Sequence, residues 1–467
     1  MSDPHIVVLG GGPAGCGAAF EIRRRRKGSV TLVEQQNVLG GNAGSFLHNG
    51  IWLDYGSHRL HSACDPAILA DIQALLGDDF RHRVRHGRIR LRGKWLHFPI
   101  KATDLLLHLD KGFALGMARD LATKALLGKK PEGETFASVL QANLGPTMCE
   151  HFYFPYARKL WGREPAELSG IQARKRVTAG SFGKLVKRLI KPPGAGMFYY
   201  MREGYGQISR AYAEAGRKDG AEIMTGWGLD RLERPANGGK WKVTVKQGDD
   251  RRMMEADHVW STIPMTTAAR MMDPAPPPYV MAALDEIRFQ AMILVYIEVP
   301  VDQWTTTDAH YFPESNVSVT RVSEPKNYFG ERTPQGRTIL CAEVPCTVGD
   351  RLWSMTDAEI GRLVADDLAR CEIPLPKPPT EVFTRRLRQA YPLYLMGYEK
   401  HLETVESWFA TLPGWLSYGR QGLFAHDNTH HALFMAYSAV DCLQDGRFDQ
   451  TKWEGYRQIF KTHVVED

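Results

Sequence analysis

The feature that most constrains the fold of this chain is a glycine pattern near its amino terminus, within HIVVLGGGPAGCGAAFEI. The apolar, β-branched run before the glycines predicts a strand, and the small-residue stretch after them predicts a helix. Gly10, Gly12 and Gly15 form G-x-G-x-x-G between the two. Gly10 permits a tight turn, Gly12 lets backbone approach a pyrophosphate, and Gly15 lets helix pack on strand. Pro13 and Ala14 begin the helix, and the N–H groups that follow Pro13 are unpaired there and can bind phosphate.

A second apolar run supports a nucleotide site. SVTLVE predicts a strand that ends in Glu34, 24 residues after Gly10, where an acid can hold ribose hydroxyls. A glycine turn without a ligand is the alternative, and the combination of strand, helix and acid disfavours it. The basic run 23–27, RRRRK, closes the first helix. Cations suit a helix carboxyl end, so we interpret this run as a solvated helix end and not as a nucleic-acid patch.

Composition sets the remaining limits. The chain has 467 residues, 43% hydrophobic and 24% charged, which is enough for two or three domains. A net charge of +6 over this length does not indicate a nucleic-acid partner. Seven cysteines without a C-x-x-C pair argue against a disulfide scaffold or structural zinc and favour a reducing cytoplasm. Neither a signal peptide nor a spanning segment is visible, so we expect a soluble or peripheral protein.

The order of predicted elements indicates an α/β protein. We expect a discontinuous nucleotide-binding domain over 1–100, 196–270 and 415–467. A helical insert would cover 101–195. A domain with an antiparallel β-sheet that binds the substrate would cover 271–414. Residues 81–100 read as a period-two strand with one cationic face, and 287–346 as antiparallel sheet. The stretch 184–191 predicts a short basic amphipathic helix, with contact to a membrane surface as the minority alternative.

A second Gly-Gly soon after Glu34 points to one cofactor. LGGN, with Gly40, Gly41 and Asn42, resembles the FAD fingerprint of glutathione-reductase-like flavoproteins, in the branch that holds amine oxidases, protoporphyrinogen oxidases and UDP-galactopyranose mutases. The resemblance implies a Rossmann-type FAD-binding domain. No other G-x-G-x-x-G follows a strand, so any NAD(P)H would bind only transiently, as a reductant.

Blocks spread over most of the chain resemble UDP-galactopyranose mutase more closely. They are GGN (40–42), YGSHRLHS (55–62), YARKLWGREPAELS (156–169), TRVSEPK (320–326), AYPLY (390–394) and GRQGLFAHDN (419–428). Their order and spacing together are more specific than any single block.

The resemblance implies roles for particular residues. Tyr156 and Trp161 would stack a base or ring, although Trp161 as ordinary core is a strong alternative. The phosphate would be bound by Arg321, by Arg420 and by either Arg174 or Arg176. His58 would lie near the flavin or serve only as a structural histidine. Further substrate contacts are implied at Tyr391 and His426, and further cofactor contacts at Gly419, Arg420, Asp427 and Asn428.

The sequence also departs from the mutases. Two tyrosines that grip the diphosphate are missing, because EVP puts Val344 at the first position and His426 falls near the second. Ser57 stands for a proline and Leu160 for a glutamine. Valine cannot replace a phenolic hydroxyl, so the anion is held differently or is not a nucleotide diphosphate.

Flavin chemistry at N5 leaves two main functions open. The first hypothesis is a pyranose/furanose mutase or close relative, acting on a sugar or glycosyl-phosphate without net redox. The second is an FAD-dependent oxidoreductase that takes hydride from an amine, alcohol or lipid. A flavin-binding protein without turnover is a weaker third. HDNTHH (426–431) invites a metal, but the resemblance sets it against the flavin, so we predict no metal site.

Overall fold

A computed structural model describes residues 3–98, 111–127, 134–176, 196–235, 239–331 and 333–465. It shows a mixed α/β fold in which separated parts of the chain share sheets. The predicted helix at 184–191 lies outside the described residues. Within these ranges no helix is long and apolar enough to cross a bilayer.

A parallel sheet organises the amino-terminal half. Its strands run in the order Glu222–Thr225, Ser29–Glu34, His5–Leu9, His258–Ser261 and Trp415–Ser417. Ile6, Val7 and Val8 are fully buried because both faces of the sheet are covered. The predicted strands at 6–9 and 29–34 are confirmed. Strands from within 196–270 and 415–467 join the same sheet.

Helices cover one face of the parallel sheet and a second sheet covers the other. The helices are Pro13–Arg24, Gln207–Lys218 and Thr429–Asp441. The covering sheet is made of Asp250–Ala256, Trp241–Gln247, Gly228–Glu233 and Met272–Asp273. Gly17 lies where helix Pro13–Arg24 meets helix Thr429–Asp441, and a Cβ there would stand 2.9 Å from Leu433.

A seven-stranded sheet forms the second half of the molecule. Its order is Glu381–Pro392, Phe289–Val299, Thr338–Cys346, Arg321–Ser323, Ala309–Tyr311, Gly87–Leu91 and Lys94–Phe98. Two expectations are corrected here. Residues 81–100 are not one strand but parts of three, and 87–98 joins this sheet, so the sheets do not divide at residue 100. Strand Phe289–Val299 is buried along almost its whole length, because helix Asp357–Arg370 covers one face and the helical insert the other.

Smaller elements complete the described structure. The insert contains Lys111–Leu127, Phe136–Leu144, Pro146–Met148, a π-turn at Cys149–Tyr153, Phe154–Trp161 and Gly170–Arg176. Other helices are Pro66–Leu76, Met265–Arg270, Pro278–Glu286, Lys326–Phe329, Tyr398–Ala410, Gly419–Gly422 and Gln450–Lys461, with short 3-10 turns at Gly41–Ala43 and Gly77–Asp79. The remaining strands are Ser45–His48 with Ile51–Asp54, Leu60–His61 with Met197–Met201 and Phe80–Val84, and Leu443–Gln444 with Arg447–Phe448.

One buried carboxylate ties three of these elements together. Asp54, at the end of a hairpin, is 1% exposed. It accepts hydrogen bonds from Ser45 Oγ at 2.5 Å, Tyr200 OH at 2.6 Å and the Tyr205 backbone N–H at 2.9 Å. Burial raises the pKa of Asp54. The hydrogen bonds therefore hold the segment that starts at Tyr55 in place.

We predict that Asp54→Asn destabilises the protein. The amide oxygen can still accept from Ser45 and Tyr205, but the amide nitrogen cannot accept the Tyr200 hydroxyl. Hydrogen bonds to charged groups contribute roughly 1.5–3 kcal/mol each. We expect the free energy of unfolding in urea to fall by about 2–3 kcal/mol. Tyr200→Phe removes a single donor to Asp54 and serves as the milder comparison. Equal urea midpoints for Asp54→Asn and the parent protein would contradict this account.

Candidate functional site

One cavity of about 910 Å³ runs from the carboxyl ends of the parallel strands to the seven-stranded sheet. Its near end is lined by residues that follow those strands, including Gly10, Glu34 and Thr262. Ligands of open parallel sheets bind at this edge. Its far end is lined by Tyr156 and Arg321, among others. The cavity therefore connects the predicted cofactor residues with the predicted substrate residues.

The first glycine turn has the geometry that its spacing predicts. Gly10 has φ +100°, and a Cβ there would lie 2.5 Å from Thr262 Oγ1. A Cβ on Gly15 would lie 1.9 Å from the Gly10 carbonyl oxygen, so Gly15 permits the close approach of helix and strand. Gly12 lines the cavity and caps the helix, with Pro13 at its first position. A Cβ on Gly12 would meet only the Gly40 carbonyl, at 3.9 Å, so this backbone is open to a ligand.

The second glycine turn lies against the first. Gly40 N donates to the Gly11 carbonyl at 2.8 Å, and Gly40 and Gly41 both have positive φ, which a side chain would strain. Asn42 Nδ2 donates to the Gln389 carbonyl at 3.2 Å. All three predicted residues of this turn line the cavity.

Glu34 lines the same end of the cavity, beside Trp227 and Leu229. Its carboxylate accepts hydrogen bonds from the Gly11 N–H at 2.7 Å and the Gln36 N–H at 2.8 Å. Burial raises the pKa of Glu34. This acid therefore holds the glycine turn in shape, in addition to the ribose contact that the sequence predicts.

The open glycine backbone, the helix start and the acidic end together fit a dinucleotide such as FAD. The helix Pro13–Arg24 presents its first N–H groups to the cavity wall formed by Pro13 and Ala14. Trp227 supplies a ring beside Glu34, where the nucleotide base would lie. This ring was not singled out in the sequence, although it follows a predicted strand.

The carboxyl-terminal block brings most of its predicted residues to the cavity. Arg420, His426, Asp427 and Asn428 line it, whereas Gly419 does not. The prediction for Gly419 is corrected: with φ +77° its Cα packs against Ala14, and a Cβ would lie 2.8 Å from Ala14 Cβ.

Asp427 is a buried anion at this wall. Burial alone would raise the pKa of Asp427, but the hydrogen bond with His463 Nδ1 at 3.2 Å and the charge of Lys175 lower it. Burial lowers the pKa of His430 to about 4 and of His431 to about 3, so both are neutral at pH 7. Asp427, His431 and His463 could in principle hold a metal ion. However, His431 Nδ1 already accepts the Asn428 N–H at 3.2 Å, and Lys175 Nζ lies 3.8 Å from Asp427.

His58 lies on the wall between the two ends of the cavity. Its Nε2 is 2.9 Å from the Tyr55 carbonyl, which can only accept, so Nε2 carries the hydrogen and Nδ1 a lone pair. Burial lowers the pKa of His58. The ring stacks on Tyr205, with centroids 5.4 Å apart.

Arg321 is paired with an acid that sequence reasoning missed. Its Nε and Nη2 donate to Glu343 Oε1 at 2.9 and 2.7 Å, and the Ser57 N–H donates to the same oxygen at 2.8 Å. Glu343 lines the cavity, whereas Val344 is buried on the opposite face of the sheet. The comparison of Val344 with a phosphate-binding tyrosine is therefore corrected, since neighbouring strand residues point to opposite faces.

Of the predicted substrate residues, Tyr156 and Tyr391 line the cavity, whereas Trp161 and Arg174 do not. Tyr156 lies in the wall, and Tyr391 stacks on His426 at 5.5 Å. Trp161 is corrected: it is 2% exposed and packs edge-on against Phe136 in the core, because the buried face of its helix includes it. Arg174 is also corrected, since it is exposed outside the cavity wall.

Two predicted arginines remain to be placed. The backbone of Arg176 ends the helix Gly170–Arg176, and its side chain lies outside the described part of the chain. The Arg420 guanidinium donates to the carbonyls of Ala390 at 3.0 Å and Asp427 at 2.9 Å and lies 5.4 Å from the centre of the Tyr391 ring.

Known proteins share this fold over almost the whole chain. The crystal structure of a reduced UDP-galactopyranose mutase matches with a TM-score of 0.79 and 20% identity, over 99% of this chain and 100% of the other. Wild-type putrescine oxidase bound to putrescine matches with a TM-score of 0.65 and 17% identity, over 94% and 98%. At these identities the likeness concerns the fold alone.

Two curated relatives are similar in sequence. Polyamine oxidase 5 of Oryza sativa subsp. japonica is 36% identical over 76 residues, a match that spans 16% of this chain and only 15% of the relative. Coproporphyrinogen III oxidase of Propionibacterium freudenreichii subsp. freudenreichii is 23% identical over 511 aligned positions, which cover 95% of this chain and 89% of the relative.

The family model for flavin-containing amine oxidoreductases matches residues 14–434, most of the chain and both ends of the cavity. The glycine turns and Glu34 give the physical reason for the cofactor, because they fit a dinucleotide without a side chain in its path. The chain therefore belongs to the flavin-containing amine oxidoreductase family and is an FAD-dependent enzyme.

Proposed function

We propose that this protein is an FAD-dependent oxidoreductase that removes hydride from a C–H bond of an organic substrate bearing one anionic group. The observation that carries the proposal is the pairing of Arg321 with Glu343 at 2.7 and 2.9 Å. A guanidinium already neutralised by a buried carboxylate is a poor clamp for a diphosphate, which carries at least two negative charges.

The other arginines expected to hold a diphosphate support the same conclusion. Arg420 donates to two backbone carbonyls, and Arg174 lies outside the cavity. A substrate diphosphate would have to displace the Glu343 contact to gain Arg321. A substrate with less charge would leave the pair intact.

The rest of the far wall suits an organic body. Leu160, Met197, Phe198, Met292 and Leu294 line it and exclude water from the reacting bond. Bound FAD supplies the hydride acceptor, at N5.

His58 would act as the general base that accepts a proton from the substrate. With Nε2 tied to the Tyr55 carbonyl, the lone pair of Nδ1 is available to take a proton from a substrate amine or hydroxyl. The ring is neutral at pH 7 because burial lowers its pKa. Asp54, which acts electrostatically on His58, would favour the imidazolium that forms.

Anaerobic titration of the holoenzyme tests the reaction class. We expect amines, alcohols or cyclic substrates with one carboxylate to bleach the oxidised flavin absorbance, and the neutral amides of the same compounds to do so more slowly. Admission of oxygen or another acceptor should restore the spectrum. If no compound bleaches the flavin while a nucleotide sugar is isomerised, the proposal is wrong.

The pH dependence of kcat/KM tests the role of His58. The base must be neutral, so activity is lost as the pH falls through the pKa of His58, which lies below the ordinary value of 6.5. We expect the acid limb of the profile to have its midpoint below pH 6.5 and to disappear in His58→Gln, with kcat/KM reduced about 10²–10⁴-fold. His82→Gln is a control, since that histidine lies outside the cavity wall and stacks on Tyr199. An unchanged acid limb in His58→Gln would remove the proton role.

A pyranose/furanose mutase acting on a sugar phosphate is the second candidate. Tyr156, Tyr391 and His426 line the cavity, as the resemblance to the mutases implies, and the fold matches a reduced mutase closely. These features support a flat or ring-shaped substrate without requiring net oxidation.

Dithionite-reduced enzyme incubated with nucleotide sugars tests this candidate. We expect no furanose product above the level of free reduced flavin, and Tyr156→Phe should leave that background unchanged. Furanose formation that requires prior reduction and is lost in Tyr156→Phe would establish the mutase instead.

A further inference from the structure

Arg59 lines the cavity and forms no ion pair with any residue that the structure describes. Its Nη2 lies 3.5 Å from the Tyr328 hydroxyl, which is long for a hydrogen bond. Its Nε and Nη1 are shielded from water and make no hydrogen bond. The sequence did not single it out, because it lies inside the YGSHRLHS block between more conspicuous residues.

Aromatic rings provide most of the surroundings of this guanidinium. Its central carbon lies 5.3 Å from the centre of the Phe198 ring and 5.1 Å from that of Tyr328. Ring faces attract a cation but do not neutralise it. Asp308 acts on Arg59 electrostatically but makes no ion pair with it, and its carboxylate accepts the His86 N–H at 2.7 Å.

The other cationic residues of the cavity wall have partners or are exposed to water. Arg321 is bound to Glu343, and Arg386 donates to the Trp353 carbonyl at 3.1 Å and to Thr384 Oγ1 at 2.6 Å. Arg385 and Arg388 are exposed, so solvent screens their charges. A shielded, unpaired charge is costly, and an anion beside it lowers that cost.

We infer that Arg59 is the anchor for the anionic group of the substrate, a carboxylate or a phosphate monoester. This inference rests on the proposed function only in treating the far part of the cavity as the substrate's. The guanidinium charge attracts one such group, and Nη2, whose contact with Tyr328 is long, can donate to it. Phe198, which lines the cavity beside Arg59, packs against the body of the substrate.

The position of Arg59 also sets which bond is oxidised. It follows His58 directly, and Ser57, two residues before it, is bonded to the Tyr328 hydroxyl and to Glu343. Anchor and base therefore lie in one short segment, which a hydrogen bond from the Ser57 N–H ties to Glu343 of the Arg321–Glu343 pair. A substrate held by its anion at Arg59 presents the same carbon to the flavin in every turnover.

Binding to oxidised holoenzyme tests this inference without turnover. The probes are 4-phenylbutyrate, phenyl phosphate and the neutral 4-phenylbutanamide, followed by the change in the flavin spectrum and by calorimetry. We expect at least one anion to bind tenfold or more tightly than the amide. Which anion binds distinguishes a carboxylate from a phosphate substrate.

Variants then locate the effect. Arg59→Gln should weaken anion binding at least tenfold, leave binding of the amide within twofold and leave the flavin content unchanged, whereas Arg59→Lys should retain part of the preference. Arg83→Gln is the matched control, because Arg83 donates to the Tyr328 carbonyl at 3.1 Å but does not line the cavity. Its anion affinity should equal that of the parent protein.

Stability separates an anchor from a structural arginine. The anion should raise the thermal midpoint of the parent protein and no longer raise that of Arg59→Gln, each compared with its own ligand-free midpoint. Unchanged anion affinity in Arg59→Gln, or no preference for anions in the parent protein, overturns the inference. Either result bears only on the anionic group of the substrate and leaves flavin bleaching as the test of hydride removal, and failure of that bleaching test leaves this binding test intact.

Discussion

The contact between the two glycine turns is the constraint on which the rest of the structure depends. Gly40 N donates to the Gly11 carbonyl and Gly11 N donates to the Glu34 carboxylate, so the turns that follow the first two strands are joined by one backbone hydrogen bond and one side-chain hydrogen bond. Side chains at these positions would fill the space between the turns. The cofactor groove exists because the backbone itself forms its walls there, and it leads straight into the substrate cavity.

Charge balance divides the far part of the cavity into two kinds of arginine. Arg321 is neutralised by Glu343 and helps to hold the Ser57 backbone, so it acts as part of the wall. Arg59 has aromatic neighbours and no counter-ion among the described residues. The paired guanidinium stabilises the site, and the unpaired one provides a reason for a ligand to bind. This difference favours a substrate of low charge over a nucleotide diphosphate.

Much of the fold followed from local patterns. The strands at 5–9 and 29–34, the first helix and the strand, glycine turn and helix after 415 agree with prediction, because propensity and burial act together in those segments. The segment 87–98 did not, since its periodicity predicts a strand but not the sheet that it joins. Strand Phe289–Val299 shows no alternation of apolar and polar residues, because both of its faces are covered.

The sequence by itself predicted the dinucleotide site, since Gly10, Gly12 and Gly15 act through backbone geometry and Glu34 through its carboxylate, at fixed spacing along one stretch of chain. Tertiary structure alone decided the substrate site. Whether Trp161 faces ligand or core, and whether residue 343 or 344 faces the cavity, depends on how distant elements pack. The aromatic partners of Arg59 come from segments more than a hundred residues away. Arg321 meets Glu343, 22 residues on, only because their two strands pair in the sheet.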